Sequence, residues 1–136
     1  MQDITDKIKL KFIVLCHILI VLFVILSPFS KSNYLLFIHS IIIPFIMLHW
    51  YVNNDMCALT LMEKKIRERI NGKENAENDC FTCKIIEPVY NFKNNNVDKT
   101  KFIYTSMILL WSISIFKLYT YYKSGKIKKF SDLFIL

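Results

Sequence analysis

The sequence predicts an all-α integral membrane helical bundle, with three transmembrane helices and an amphipathic helix after the second. Of the 136 residues, 54% are hydrophobic, and the charged residues, 21% of the chain, are grouped in blocks that leave long stretches almost free of charge. A hydrocarbon core about 30 Å thick needs roughly 20 apolar residues in a helix. A chain of this length holds one domain, so we expect residues 1–136 to form a single membrane domain.

Three segments have the length and apolar character of a membrane span. Residues 11–29 are mostly Ile, Val, Leu and Phe, and residues 34–53 follow after a connection short enough to require an antiparallel helical hairpin. Pro44 removes one backbone donor from the second span and predicts a kink. Residues 102–122 form the third span, in which the long side chain of Lys117 can reach the headgroups. These spans make the lipid bilayer the first expected partner.

An amphipathic helix is predicted for residues 55–71. Thr60 and Glu63 have the spacing of a capping box, in which each side chain bonds the backbone N–H of the other residue, and Gly72 supplies a left-handed stop. Such a cap explains Glu63 without any chemistry. Four basic residues on the polar face are expected to contact headgroups or a partner: Lys64, Lys65, Arg67 and Arg69.

The remaining segments are a loop, residues 72–101, and an interfacial tail, residues 126–136. Basic residues number three around the start of the first span (Lys7, Lys9 and Lys11), one between the first two spans and nine from residue 64 to residue 101. The positive-inside rule then places the N-terminus and the middle segment in the cytoplasm. A third crossing carries the lysines of residues 123–129 to the opposite side, against the same rule, so the orientation stays open. The net charge of +7 suits anionic lipid or an acidic partner, and no aromatic and basic pattern indicates nucleic acid.

All three histidines lie in the first two spans: His17 in the first, His39 and His49 in the second. Polar side chains in lipid face the bundle interior, so a ladder of imidazoles between the two helices is feasible. Together with Cys57 and Glu63 they are candidate ligands of a metal or haem, or members of a proton relay. The alternative is that each imidazole only joins two helices through one hydrogen bond. No HExxH-type spacing and no catalytic set accompanies them, which favours a protein that is not an enzyme.

Cys80 and Cys83 form a single Cys-x-x-Cys pair. A structural zinc site needs two further ligands, and a thioredoxin-type redox site needs a strand-to-helix setting that the all-α prediction does not supply. A disulfide forms here if the segment faces an oxidising compartment. Inert thiols, a disulfide, and a catalytic or metal-binding pair are therefore the alternatives.

Three stretches carry a resemblance to known proteins: residues 49–63 (HWYVNNDMCALTLME), 79–83 (DCFTC) and 87–90 (EPVY). They resemble a group of small uncharacterised membrane proteins of nucleocytoplasmic large DNA viruses, and the likeness runs from Leu10 to about Tyr122. The resemblance implies membrane residence, in a virion inner membrane or a host endomembrane. Other membrane proteins or capsid proteins are then the implied partners.

A more distant resemblance concerns residues 57–63 together with His17 and His39. These are similar to a bacterial multipass family of unknown function, which has a histidine in each of its first two helices and then Cys-Pro-Leu-Thr-x-x-Glu. Ala58 stands here in place of the motif's proline. The resemblance to this family implies a multipass membrane fold for the chain but does not imply a biochemical activity.

The sequence thus predicts a small multipass membrane protein with a structural or interaction role in a viral or virus-modified membrane. The alternatives are a metal-binding, haem-binding or proton-conducting bundle and, third, a thiol-disulfide oxidoreductase. Oligomeric state does not follow from the sequence.

Overall fold

The computed structural model describes residues 2–72 and 96–135, and within these ranges every regular element is helical, with no strand. This confirms the predicted all-α class. In chain order the elements are α1 (Gln2–Leu26), a 3-10 turn (Ser27–Phe29), α2 (Asn33–Val52), α3 (Ala58–Asn71), α4 (Asn96–Lys123) and a 3-10 helix (Phe130–Phe134).

Three helical segments are long and apolar enough to cross a membrane, as predicted. They are Asp3–Phe29, Asn33–Val52 and Lys99–Lys123, with mean hydropathies of 2.8, 1.9 and 1.5. Such helices are compatible with contact with a lipid bilayer and with an integral membrane protein.

Two of these helices begin earlier than the sequence predicts. α1 begins at Gln2 rather than at residue 11, and α4 at Asn96 rather than at residue 102, so the end of the predicted loop is helical. The early turns of α1 are polar but favour a helix, because Lys7 pairs with Asp3 one turn away at 2.8 Å.

The chain divides into two compact units. Unit 1 comprises Met1–Ile20 and Trp50–Lys99, and unit 2 comprises Val21–His49 and Thr100–Leu136.

Unit 1 contains most of α1, up to Ile20, and the amphipathic helix α3. Arg69 Nη1 lies 3.9 Å from Asp6 Oδ1, and Glu63 interacts electrostatically with His17. Because the residue number falls on α3 as it rises on α1, the two helices run antiparallel. Ile66 is buried on the face of α3 that carries Glu63.

The predicted start of α3 is wrong in two respects. The helix begins at Ala58 rather than at residue 55, because Asn54 and Asp55 have φ angles of 53° and 60° and form a left-handed turn after α2. The cap position is Cys57, whose side chain makes no capping hydrogen bond, and Thr60 lies inside the helix. The predicted capping box is therefore absent, and Glu63 needs another explanation.

The predicted stop at Gly72 is confirmed. Gly72 has a φ of 80°, which a glycine adopts without strain, and its N–H bonds the Glu68 carbonyl at 3.1 Å.

Unit 2 contains the last quarter of α1, from Val21 to Leu26, together with most of α2, nearly all of the third span and the tail. Its core centres on α2, where Leu36, His39 and Ile43 are fully buried, and α4 contributes Met107 and Ser114. These five buried residues belong to the interior of unit 2.

The tail folds back onto the beginning of α2. Phe130 and Phe134 make edge-on ring contacts with Phe37 at centroid distances of 6.0 and 5.8 Å, and Asn33 Nδ2 donates to the Asp132 carbonyl at 3.4 Å. The predicted surface tail is thus a short 3-10 helix held by aromatic packing. It lies at the same end of unit 2 as the connection between α1 and α2.

Candidate functional site

Unit 2 contains two fully buried polar side chains among the described residues, His39 of α2 and Ser114 of α4. His39 makes hydrogen bonds through both of its ring nitrogens. Its Nε2 lies 3.1 Å from the carbonyl oxygen of Val24 in α1, and its Nδ1 lies 2.8 Å from Ser114 Oγ in α4. Since a carbonyl can only accept, Nε2 carries the proton. In the neutral ring Nδ1 then accepts from the Ser114 hydroxyl, so one imidazole joins three helical segments.

The Val24 carbonyl is available to His39 for a reason visible in the sequence. A carbonyl in a helix accepts from the N–H four residues later, and the residue four positions after Val24 is Pro28, which has none. A carbonyl without a donor is costly in lipid. The imidazole of His39 supplies the missing donor.

The same arrangement occurs at the proline of α2. Pro44 removes the N–H that the Ser40 carbonyl would otherwise accept, and Trp111 Nε1 of α4 donates to that carbonyl at 2.9 Å. Both prolines within the described spans therefore free a carbonyl that a side chain on another helix satisfies. Pro44, predicted to kink its helix, marks a contact between helices.

One face of α4 carries these contacts. Trp111, Ser114 and Lys117 are three residues apart, and Lys117 Nζ donates to the Ser30 carbonyl in the α1–α2 connection at 3.3 Å. The ammonium of Lys117 therefore bonds a backbone carbonyl near the end of the span, and its predicted reach to the headgroups stays a prediction. The polar face of α4 is thus directed at α2 and the connection before it.

Unit 1 has a different polar cluster, centred on Glu63. This carboxylate is fully buried, and its Oε1 accepts from Arg67 Nη2 at 2.9 Å and from Arg67 Nε at 3.0 Å. Burying a carboxylate is costly unless it is paired and hydrogen-bonded, and the guanidinium one turn along the helix provides both. The polar residue Glu63 therefore faces the protein rather than the solvent.

His17 of α1 completes this cluster. Its side chain is only 4% exposed, and the Glu63 carboxylate acts on it electrostatically. The buried carboxylate thus lies between an imidazole of α1 and a guanidinium of α3. An arrangement of this kind can hold two helices together or bind and release a proton.

The other predicted site residues have varied positions. His49 is exposed on α2, and Cys57 is a half-buried free thiol at the cap of α3. Cys80 and Cys83 lie outside the described residues, so the prediction for this pair stays a prediction.

His17 belongs to unit 1, whereas His39 and His49 belong to unit 2. Across residues 2–72 and 96–135, no group of three or more His, Cys, Asp or Glu side chains could hold a metal ion.

The four basic residues of α3 differ in exposure. Lys65 and Arg69 are exposed, Lys64 is half-buried, and Arg67 turns inward to Glu63 instead of facing headgroups or a partner. Arg69 lies 3.9 Å from Asp6 but remains largely exposed. Lys65 and Arg69 are therefore the members of this set best placed for an outside contact.

Sequence reasoning missed the partners of His39 and Ser40. Trp111 and Ser114 lie more than 70 residues further along the chain, and no spacing rule connects such distant positions. A signal was nevertheless present, because each proline inside a span marks an unpaired carbonyl four residues earlier. That rule identifies the acceptors but not the donors.

Comparison with family models, with curated proteins and with solved structures gives no match to this chain.

Proposed function

We propose that this protein is a structural or interaction component of a membrane, which binds neighbouring membrane proteins through the outward faces of its spans. The observation that carries the proposal is how little of each span is buried within the chain: 28%, 17% and 11% for the first, second and third. A helix this exposed packs against lipid or another protein.

α4 supports the proposal most directly. Its inward face carries Trp111, Ser114 and the buried Met107, whereas Leu109 and Phe116 on the opposite face are 61% and 70% exposed. The hydroxyls on the exposed side bond carbonyls of the same helix, as Ser112 does with Ile108 at 2.8 Å. That face therefore needs no polar partner and can meet another apolar helix.

We further propose that the membrane is a virion inner membrane or a virus-modified host endomembrane. The resemblance to small membrane proteins of large DNA viruses supports this assignment, with other membrane proteins or capsid proteins as partners. Fractionation of purified virions tests it. The protein is expected in the detergent-soluble membrane fraction, and its absence from virions and from virus-modified membranes would contradict the assignment.

The interaction role is tested by photo-crosslinking in native membranes. A photoreactive amino acid at Phe116 faces outward, and the same group at Met107 faces the interior and serves as the control. We expect Phe116 to give a protein adduct of one defined mass that Met107 does not give. Lipid adducts alone at Phe116, with recovery of a solitary monomer in mild detergent, would refute the proposal.

A second candidate function, proton binding or conduction, is favoured by the cluster of Glu63, Arg67 and His17. Buried ionisable groups beside a membrane span are functional candidates by default. In proteoliposomes with a pH-sensitive dye, Glu63→Gln and His17→Gln are expected to abolish proton flux, whereas Glu68→Gln, a change on the exposed side of α3, is not. Equal flux in all four proteins, the unmodified chain included, would exclude this function.

A further inference from the structure

An apolar groove runs between α1 and α3 within unit 1, and neither candidate function accounts for it. Its volume is about 290 Å³. We call it the α1–α3 groove. Its walls include Lys9, Phe12, Ile13 and Cys16 of α1, and Met62 and Ile66 of α3.

The shape of the groove is that of a slot with a closed floor. Ile13 and Ile66 are buried, whereas Phe12 and Met62 are 66% and 50% exposed and form open edges. From Lys9 to Cys16 the slot extends about 10 Å along α1, at about 1.5 Å for each residue. A slot of this length and of about 290 Å³ suits one flexible hydrocarbon chain rather than a second helix, whose diameter is about 10 Å.

The position of the groove on α1 gives its direction relative to the bilayer. Lys9 lies in the charged first turns of the helix, and Cys16 lies in the apolar stretch that follows. The groove therefore begins where α1 is polar and ends where α1 is surrounded by acyl chains. Apolar voids forfeit dispersion contacts, so a groove open to lipid is filled by a chain.

Charge selects the kind of lipid. Lys9 is the only described lining residue with a charged side chain, and it lines the groove with the apolar stem of that side chain, at the polar end where a phosphate of a chain-bearing lipid would be. Lys7, one turn away, is already engaged with Asp3 at 2.8 Å. A lysine ammonium at headgroup level attracts anionic lipids.

We propose that the α1–α3 groove binds one acyl chain of an anionic phospholipid, whose phosphate pairs with Lys9. The site is independent of the interaction face on α4 and of proton binding by Glu63.

Native mass spectrometry of the full chain tests this proposal, using phosphatidylglycerol and phosphatidylcholine with the same acyl chains. We expect phosphatidylglycerol to be retained about tenfold better, a difference of about 1.4 kcal/mol. Lys9→Gln should lower its retention to the level of phosphatidylcholine, whereas the matched control Lys7→Gln should leave it unchanged. Equal losses in the two variants, or equal retention of the two lipids by the unmodified protein, would overturn the proposal.

A second arm tests the groove rather than the charge. Met62→Trp fills the slot and should lower the retention of both lipids, while Met56→Trp, which lies outside the lining, should not. Phosphatidylglycerol with a diazirine in its acyl chain should label residues 12–16 and 59–66 more strongly than the exposed face of α4. Uniform labelling of all lipid-facing helices, or preferential retention of free oleate over the phospholipid, would contradict the assignment.

Discussion

His39 of α2 donates a hydrogen bond through Nε2 to the carbonyl of Val24 in α1, at 3.1 Å, and Pro28 is the residue that deprives this carbonyl of its helical donor. The pair illustrates how unit 2 is held together. A proline frees a carbonyl within one helix, and a side chain from a neighbouring helix satisfies it. Since water is absent from the hydrocarbon core, such donors fix which helices meet.

The contact between His39 and the Val24 carbonyl predicts energetic coupling with Pro28. We expect His39→Leu to lower the free energy of unfolding by about 1 kcal/mol in the native sequence. In a Pro28→Ala background the restored N–H satisfies Val24, so the same substitution should cost less. Denaturation in mixed micelles measures the free energy of unfolding of all four proteins. Identical losses of unfolding free energy in the two backgrounds would contradict the account.

The contact between Trp111 and the Ser40 carbonyl predicts the same coupling with Pro44. Trp111→Phe keeps an aromatic ring but removes the Nε1 donor, and should cost about 0.5–1.5 kcal/mol. The cost should fall when Pro44→Ala returns a backbone donor to Ser40. Ser112→Ala removes a hydroxyl bonded within α4 and serves as the control. A loss no larger than that of the control would show that the indole bond is not stabilising.

Because Glu63 is buried, we expect the packing of α3 to depend on the charge of this carboxylate. Glu63→Gln removes the charge that acts on His17 of α1, together with the ion pair with Arg67 within α3, and should weaken the docking of α3 by about 2 kcal/mol. Hydrogen exchange of the amides in residues 58–71 reports this loss. Glu68→Gln on the exposed side is the matched control, and equal protection in the two variants would mean that Glu63 does not anchor the helix.

Apolar segment length predicted the three spans, because lipid imposes one simple requirement on every helix that crosses it. The burial of Glu63 was not predicted, because the proposed capping box with Thr60 already explained this carboxylate as part of a helix start. In the structure Glu63 shares a face of α3 with the buried Ile66, and its partners are Arg67 on the same helix and His17 on α1. Helix periodicity identifies which residues share one face of a helix. Which faces of two helices pack together depends on the tertiary structure.

The early start of α1 was missed for a related reason. Residues before Lys11 are too polar to count toward a span, although Asp3 and Lys7 stabilise a helix through their own pair. Hydropathy locates membrane crossings and not helix ends. The fold class therefore follows from the sequence, whereas the polar contacts of His39, Trp111 and Glu63 require the structure.

Asp132 predicts how the tail responds to acid. The backbone N–H groups of Lys129 and Lys128 donate to its carboxylate and hold its pKa below the usual range. A carboxyl whose pKa is lower when folded stabilises the fold above its unfolded pKa, about 3.9, and this stabilisation is lost as the pH falls through the folded value.

The amide signals of Lys128 and Lys129 should therefore titrate with a midpoint below that of an ordinary aspartate. NMR of the protein in micelles measures this midpoint. Asp132→Asn should remove the titration while leaving the amides of α2 unchanged. A midpoint at or above the ordinary value would show that the carboxylate does not accept these bonds in the folded tail.

The central claim is that the three long apolar helices cross the membrane. Three crossings predict that the α1–α2 connection and the tail are accessible from one side and the N-terminus from the other. Side-specific labelling tests this claim. The four native cysteines are replaced by serine, and a single reporter cysteine is then introduced as Lys7→Cys, Lys31→Cys or Lys128→Cys. Each variant is reconstituted in one orientation in sealed proteoliposomes. We expect a membrane-impermeant maleimide to label Lys31→Cys and Lys128→Cys from the same side and Lys7→Cys from the opposite side. Labelling of Lys128→Cys together with Lys7→Cys, or of all three from one side, would contradict the three crossings.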